Sequence, residues 1–254
     1  IVIVTRLIAA IPVDSMAHAA ALVDRACADG ADAIELRIDG YDGPVAPLHD
    51  LMAAHPRMTW IVTCRGDAEG GAFTGDTMQR VARLIEAARA TGAWVDFELA
   101  DWRRSDNIRQ KVLLAATDPG DGRVRLILSH HRFDAPLADA PAVFHEIRSA
   151  RPDAVAKLAW MPRDLCDNFA ALELVDGRQA ERCPNESISA GSVDRGATKS
   201  CPPTVAICMG EEGVLSRVLA RKFGAWGTYA AVEPEASTAP GQVTIEQMKR
   251  LYRW

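Results

Sequence analysis

The sequence has no apolar run approaching the roughly 20 residues needed to cross a bilayer, and no basic stretch followed by a cleavage site near its start. It therefore reads as a cytoplasmic protein. Basic residues are not in excess: 29 Lys and Arg stand against 34 Asp and Glu, a net charge of -5. An acidic surface offers no counter-charge to nucleic acid or an anionic membrane, so neither is expected as a partner. None of the six cysteines, Cys27, Cys64, Cys166, Cys183, Cys201 and Cys208, sits in a CxxC spacing. That argues against a zinc site and a disulfide scaffold alike. No GxGxxG turn follows the first apolar stretch, Ile1 to Val13, as a dinucleotide-binding sheet would require. A phosphate site is disfavoured at Gly210-Glu211-Glu212-Gly213, where two carboxylates would repel an anion. The chain starts with Ile rather than Met and stops abruptly at Leu251-Tyr252-Arg253-Trp254, which reads as a piece of something longer.

What is present is a regular alternation. Strands are predicted over Ile1 to Arg6, Ala33 to Asp39, Trp60 to Arg65, Trp94 to Leu99, Val124 to Ser129, Ala154 to Met161, Val205 to Met209 and Thr228 to Val232. Stretches of helical spacing follow each of them, among them Ser15 to Asp29, Asp76 to Ala90, Trp102 to Ala116 and Gly213 to Phe223. Eight strands, each followed by a helix, in about the 250 residues typical of the fold predict an α/β chain forming a (β/α)8 TIM barrel, one domain over 1–254. The pattern fails from Asp176 to Pro203, where glycines, serines and prolines predict an irregular insertion at about 177–200 on the face opposite the site.

Lys157 stands alone in the apolar run Ala154-Val155-Ala156-Lys157-Leu158-Ala159-Trp160-Met161. In a strand neither of its faces is wet, so the ammonium is expected to be buried. Burial without a compensating charge lowers a lysine pKa, and a neutral lysine attacks ketones and aldehydes, which makes Lys157 a Schiff-base candidate. The competing reading is a strand-end lysine that reaches water or pairs with a carboxylate. Other strands carry polar residues in phase: Glu35, Arg37 and Asp39, then Arg65, then Asp96 and Glu98, then His131. In a barrel such residues point into the lumen near its C-terminal mouth. Asp96 and Glu98 are expected to belong to a structural ion network, and Arg65 to help hold Lys157 neutral by like-charge repulsion. Lysine and histidine on adjacent strands suit Schiff-base chemistry with a separate general acid and base.

Six segments, Glu35-Leu36-Arg37-Ile38-Asp39, Arg65 with Glu69-Gly70-Gly71, Ser129-His130-His131-Arg132-Phe133, Ala156-Lys157-Leu158-Ala159-Trp160-Met161, Met209-Gly210 through Leu215-Ser216-Arg217, and Thr238-Ala239-Pro240-Gly241-Gln242, together resemble the type I 3-dehydroquinate dehydratases. The resemblance implies a lyase of the shikimate pathway that needs no metal or cofactor and converts 3-dehydroquinate to 3-dehydroshikimate. It implies that Lys157 forms the imine, that His131 is general base and acid, and that Glu69 orients the imidazole. Glu35, Arg37 and Arg65 would hold the ring hydroxyls, Arg217 the carboxylate, and Thr238 and Gln242 would close the site. It is also compatible with a homodimer, and the C-terminal segment looks like the junction where some relatives continue into a shikimate dehydrogenase domain.

Two departures from the family pattern bear on the site. Arg132 replaces the usual Asp or Asn after the histidine and could lower the imidazole pKa. Arg6 replaces a small polar residue and could alter the pocket floor. A barrel aldolase is the competing enzyme reading; it predicts a phosphate-binding loop for its usual phosphorylated substrates, and the Glu211-Glu212 loop speaks against that. A dehydroquinate-binding module without catalysis should lack Lys157 or His131, and both are present. Cys183 and Cys201 are expected to be free thiols, and the sequon Asn185-Glu186-Ser187 to be silent.

Overall fold

The described residues form eight strands: β1 (Arg6–Pro12), β2 (Ala33–Arg37), β3 (Thr59–Thr63), β4 (Trp94–Glu98), β5 (Leu126–Arg132), β6 (Val155–Trp160), β7 (Thr204–Cys208) and β8 (Gly227–Ala230). The structure, a computed structural model, describes residues 4–176 and 202–254. The predicted insertion, Cys183, Cys201 and the sequon lie outside the described residues. Every ladder is parallel, and the strands follow one another in the order β7-β6-β5-β4-β3-β2-β1-β8. The two ends of that order meet where Trp226 N–H donates to Thr204 O at 2.8 Å. The result is a nearly closed (β/α)8 barrel. Around it run α1 (Met16–Ala28), α2 (Ala46–Ala54), α3 (Thr77–Ala88), α4 (Leu99–Trp102), α5 (Asp106–Ala116), α6 (Ala140–Ala150), α7 (Asp167–Val175), α8 (Val214–Leu219) and α9 (Ile245–Tyr252).

The first strand begins where the predicted one ends. The β-branched residues before Arg6 have high strand propensity, but the buried run is Leu7 to Ile11, and burial decides. The single helix predicted over Trp102 to Ala116 is two, because Ser105 Oγ accepts from Ile108 N–H and caps a new helix at α5. Strand β5 runs three residues beyond Ser129 and so carries both histidines.

Alternation along each strand separates two environments. Leu36, Val62, Phe97, Leu128, Leu158 and Cys208 face outward into the main core under the helices. Each fully buried side chain of this size contributes about 1.5–3 kcal/mol. Inside the barrel, Ile8, Ala33, Ile61, Ile127, Val155 and Val205 form an apolar layer. Beneath it Trp94 and Trp226 meet edge to face at 4.9 Å. Arg6 lies over the Trp226 ring, 4.6 Å from its centre. Because β1 starts at Arg6, that residue belongs to the N-terminal rim and is no part of the pocket floor, contrary to expectation. The polar residues of β2 to β6 stand above the apolar layer, towards the C-terminal mouth.

Candidate active site

One step above Val155 on β6, Lys157 is 6% exposed. Its Nζ donates to Asp96 Oδ2 at 2.6 Å and to Glu35 Oε1 at 3.2 Å, and lies 4.2 Å from the centre of the Tyr229 ring. Burial alone would lower its pKa, but the two carboxylates outweigh burial and raise it above the ordinary lysine value. This overturns the expectation of a depressed lysine. Arg65, itself paired with Asp96 at 2.7 Å and Glu98 at 3.1 Å, does act to lower the lysine pKa as expected, but the two carboxylates outweigh it.

Asp96 therefore does more than belong to a structural network. Ser129 Oγ and Arg65 both donate to its Oδ1, and burial, which would raise its pKa, is overcome by Arg65 and Lys157, so it stays ionised far below the usual range. Glu98 is different: it faces Arg65, Arg80 and the Gly66 N–H and makes no contact with Lys157. Glu35 also accepts from Thr63 Oγ1 at 2.8 Å. Arg37 pairs with both oxygens of Asp39 at 2.8 and 3.0 Å, a planar fork held at the rim.

Glu69 comes from the loop after β3. That loop folds back on its own start so closely that a Cβ on Gly71 would lie 2.1 Å from Arg65 O, so only glycine fits there. Glu69 Oε2 accepts from the His131 backbone N–H at 3.0 Å and faces His131 Nδ1 at 2.8 Å. Burial pushes the Glu69 carboxyl up to about 7, with Arg65 opposing and Glu98 adding to the rise. His131 is held well below the ordinary imidazole value, first by burial and then by Arg65 and Lys157. With Nδ1–H directed at Glu69, the neutral ring keeps its Nε2 lone pair free. His130 is half-buried, with Nδ1 3.8 Å from Glu69 Oε1. Arg132 turns outward to Asp134 at 3.1 Å, and its charge acts on His130 rather than on His131.

Arg217, on α8, is 1% exposed yet meets no carboxylate among the described residues. Its Nη1 and Nη2 reach the carbonyls of Tyr229 and Pro240 at 3.4 and 3.3 Å, and its Nε has no partner among the described residues. Burial pulls its pKa down to about 10. A buried guanidinium so poorly satisfied is a place for an anion. Thr238 and Gln242 lie in the loop after β8 and satisfy each other, Gln242 Oε1 accepting from Thr238 N–H at 2.9 Å and Nε2 donating to Thr238 Oγ1 at 3.3 Å. This loop docks on the one after β7: Gly210 N–H donates to Pro240 O at 3.1 Å, and a Cβ on Gly241 would lie 2.0 Å from Gly210 O.

The structure brings Glu35, Arg37, Arg65, Glu69, His131, Lys157, Arg217, Thr238 and Gln242 around one cavity of about 490 Å³, part of it open to solvent. Phe133, Ala159, Ile207, Met209 and Tyr229 are also part of its wall. Tyr229 and Asp96 are the contacts of Lys157 that sequence reasoning missed. Strand phase could have pointed to Tyr229, an aromatic residue with a polar tip inside the barrel. The constellation suits a small molecule with a ketone for the lysine, hydroxyls for the carboxylate and arginine groups, and an anionic group for Arg217.

The family model for type I 3-dehydroquinase matches residues 7–201 and 192–254. A 3-dehydroquinate dehydratase of Desulfotalea psychrophila is 30% identical over 226 residues, covering 88% of this chain and 87% of that protein. The bifunctional 3-dehydroquinate dehydratase/shikimate dehydrogenase of Arabidopsis thaliana is 25% identical over 229 residues, 89% of this chain and 33% of that one. The crystal structure of 3-dehydroquinate dehydratase from Geobacillus kaustophilus shares the fold, with a TM-score of 0.77 at 22% identity over 98% of this chain and 90% of that one. Matched along nearly its whole length by that family model, this chain belongs to the type I 3-dehydroquinase family.

Proposed function

We propose the following division of labour for the dehydration of 3-dehydroquinate to 3-dehydroshikimate through a lysine Schiff base. Lys157 is the nucleophile. It enters the reaction as an ammonium, so it must first lose a proton, and neutral His131 on the adjacent strand is the base open to receive it. The amine adds to the ketone, and the imidazolium returns the proton to the departing oxygen, leaving a cationic imine. Asp96 and Glu35 then face that cation as they faced the ammonium. The same pair that overturns the neutral-lysine expectation stabilises the intermediate. His131, neutral again, takes the proton from the carbon beside the imine and delivers it to the leaving hydroxyl, and water releases the product.

Glu35, Arg37 and Arg65 hold the ring hydroxyls, and Arg217 with Thr238 and Gln242 holds the carboxylate. Thr238 and Gln242 exchange bonds with each other for bonds with the substrate, so they add selectivity more than affinity. The observation that carries this reading is the buried Lys157 between two carboxylates, in one cavity with the Glu69–His131 pair. Borohydride reduction in the presence of 3-dehydroquinate, followed by peptide mapping, is expected to give a single adduct on Lys157. Detectable binding with no adduct would mean that the chain binds without forming an imine.

Glu69 links the reaction to pH. Above about 7 its carboxylate accepts from Nδ1 and supports the imidazolium; below, it is protonated and that support is lost. kcat/KM is therefore expected to rise with pH through an inflection near 7. Glu69→Gln should lower kcat by about 100-fold and erase that inflection. An unchanged profile in the variant would assign the inflection to another group.

A further inference from the structure

The hydroxyl of Tyr229 is buried and has no hydrogen-bond partner among the described residues. The residue is 4% exposed and lines the same cavity as Lys157. A buried hydroxyl left without a partner costs roughly 1–3 kcal/mol, and phenylalanine would fill the same place without that cost. The ring alone has a role in the free protein, its π-face receiving the Lys157 ammonium, whose hydrogen bonds go to Asp96 and Glu35. That role explains an aromatic residue and leaves the phenol unexplained. The cavity that Tyr229 lines is where a partner can reach it.

The division of labour given above supplies partners for the carboxylate and the ring hydroxyls of the substrate, but for its ketone oxygen only the His131 imidazolium, which acts as that oxygen departs; during the attack itself the oxygen has no donor. The ketone carbon must come within bonding distance of Lys157 Nζ, which lies over the Tyr229 ring. The oxygen on that carbon is thereby brought beside the same residue. We propose that the Tyr229 hydroxyl touches the substrate and donates a hydrogen bond to the ketone oxygen while Lys157 attacks. This rests on Lys157 being the imine-forming residue.

As the C–N bond forms, the π pair of the C=O bond moves onto oxygen. That oxygen takes one proton from the adding nitrogen, giving the carbinolamine, and a second from the His131 imidazolium, and leaves as water while the nitrogen pair closes the C=N bond. Tyr229 transfers no proton in this sequence. Burial raises its phenol above the ordinary tyrosine value, outweighing the Lys157 ammonium, whose charge and closeness to the hydroxyl both act to lower it, so it remains a neutral donor.

The test is Tyr229→Phe, which keeps the ring and removes the hydroxyl. Parent and variant are mixed with 3-dehydroquinate and quenched into borohydride at increasing times, with the Lys157 adduct read by intact mass. Adduct formation is expected to slow by about 100-fold, the lower end of the scale of losing one donor to a developing oxyanion. The Tm of the free variant is expected to be unchanged or higher, because no bond is lost. Equal rates of adduct formation would overturn the proposal whatever happens to KM, and so would a lowered Tm, which would mean that the hydroxyl is already bonded in the free protein. No adduct in the parent protein would overturn the imine reading of Lys157, and this proposal with it.

Discussion

Lys157→Met is expected to abolish turnover and the borohydride adduct together, and to destabilise the free protein. On the sequence alone, deleting a lysine from an apolar strand is expected to leave stability untouched. The geometry reverses that expectation, because Nζ neutralises Asp96 at 2.6 Å and Glu35 at 3.2 Å where both carboxylates are almost wholly buried. Removing one partner of a buried ion cluster costs on the order of 3–5 kcal/mol, since the remaining charges stay buried and unmatched. Arg65 still faces Asp96 at 2.7 Å, which places the loss at the lower end of that range. The measurements are adduct mass, steady-state rate and Tm. Adding Asp96→Asn to Lys157→Met should recover part of the Tm and none of the rate. A variant with the parental Tm would show that the cluster is not held by the lysine, and residual adduct would locate the nucleophile elsewhere.

His131→Ala is expected to separate the two halves of the chemistry. Imine formation continues, more slowly, because proton transfers to and from solvent can replace the imidazole at that stage. Abstraction of the carbon-bound proton has no such substitute, and turnover should fall by about 10⁴-fold. The variant then accumulates the imine, and quenching it into borohydride at steady state should give more adduct on Lys157 than the parent shows. Losing the ring is not expected to cost much stability: His131 is uncharged in the free protein, and Glu69 keeps the bond from the backbone N–H of residue 131. Parental rates in this variant would remove His131 from the mechanism. A variant that forms no adduct would instead make the imidazole essential for the addition step.

The barrel is legible in the sequence because its two periods, two residues along strands and three to four along helices, are imposed by burial on opposite sides of each element. Element ends are less so. Propensity favours the β-branched run before Arg6, whereas the strand is laid down where both faces are covered, at Leu7 to Ile11. Strand phase also shows that Glu35, Asp96 and Lys157 share the barrel interior. It does not show which of them touch. Asp96 and Lys157 are separated by 61 positions and stand on β4 and β6, and their contact depends on the curvature that brings non-neighbouring strands across the lumen. Asp96 is the larger of the two carboxylate charges that set the sign of the lysine shift. Arg132 is misleading for a related reason: adjacency in sequence on a strand means opposite faces, so its charge reaches His130 and Asp134 and misses the His131 ring. Arg217 lies on a helix, where no alternation points inward, and only the family motif singles it out.

The pairing of β8 with β1, from Arg6 with Gly227 to Ala9 with Ala230, bears on how the chain can be made. On a ribosome β1 to β7 emerge in the order in which they pair, so each new strand finds its neighbour already waiting. The far edge of β1 has no such partner until the strand ending at Ala230 has left the exit tunnel. For most of its synthesis the nascent sheet therefore carries an open, apolar edge at its oldest strand, the kind of edge to which a holding chaperone binds and at which two unfinished chains can pair.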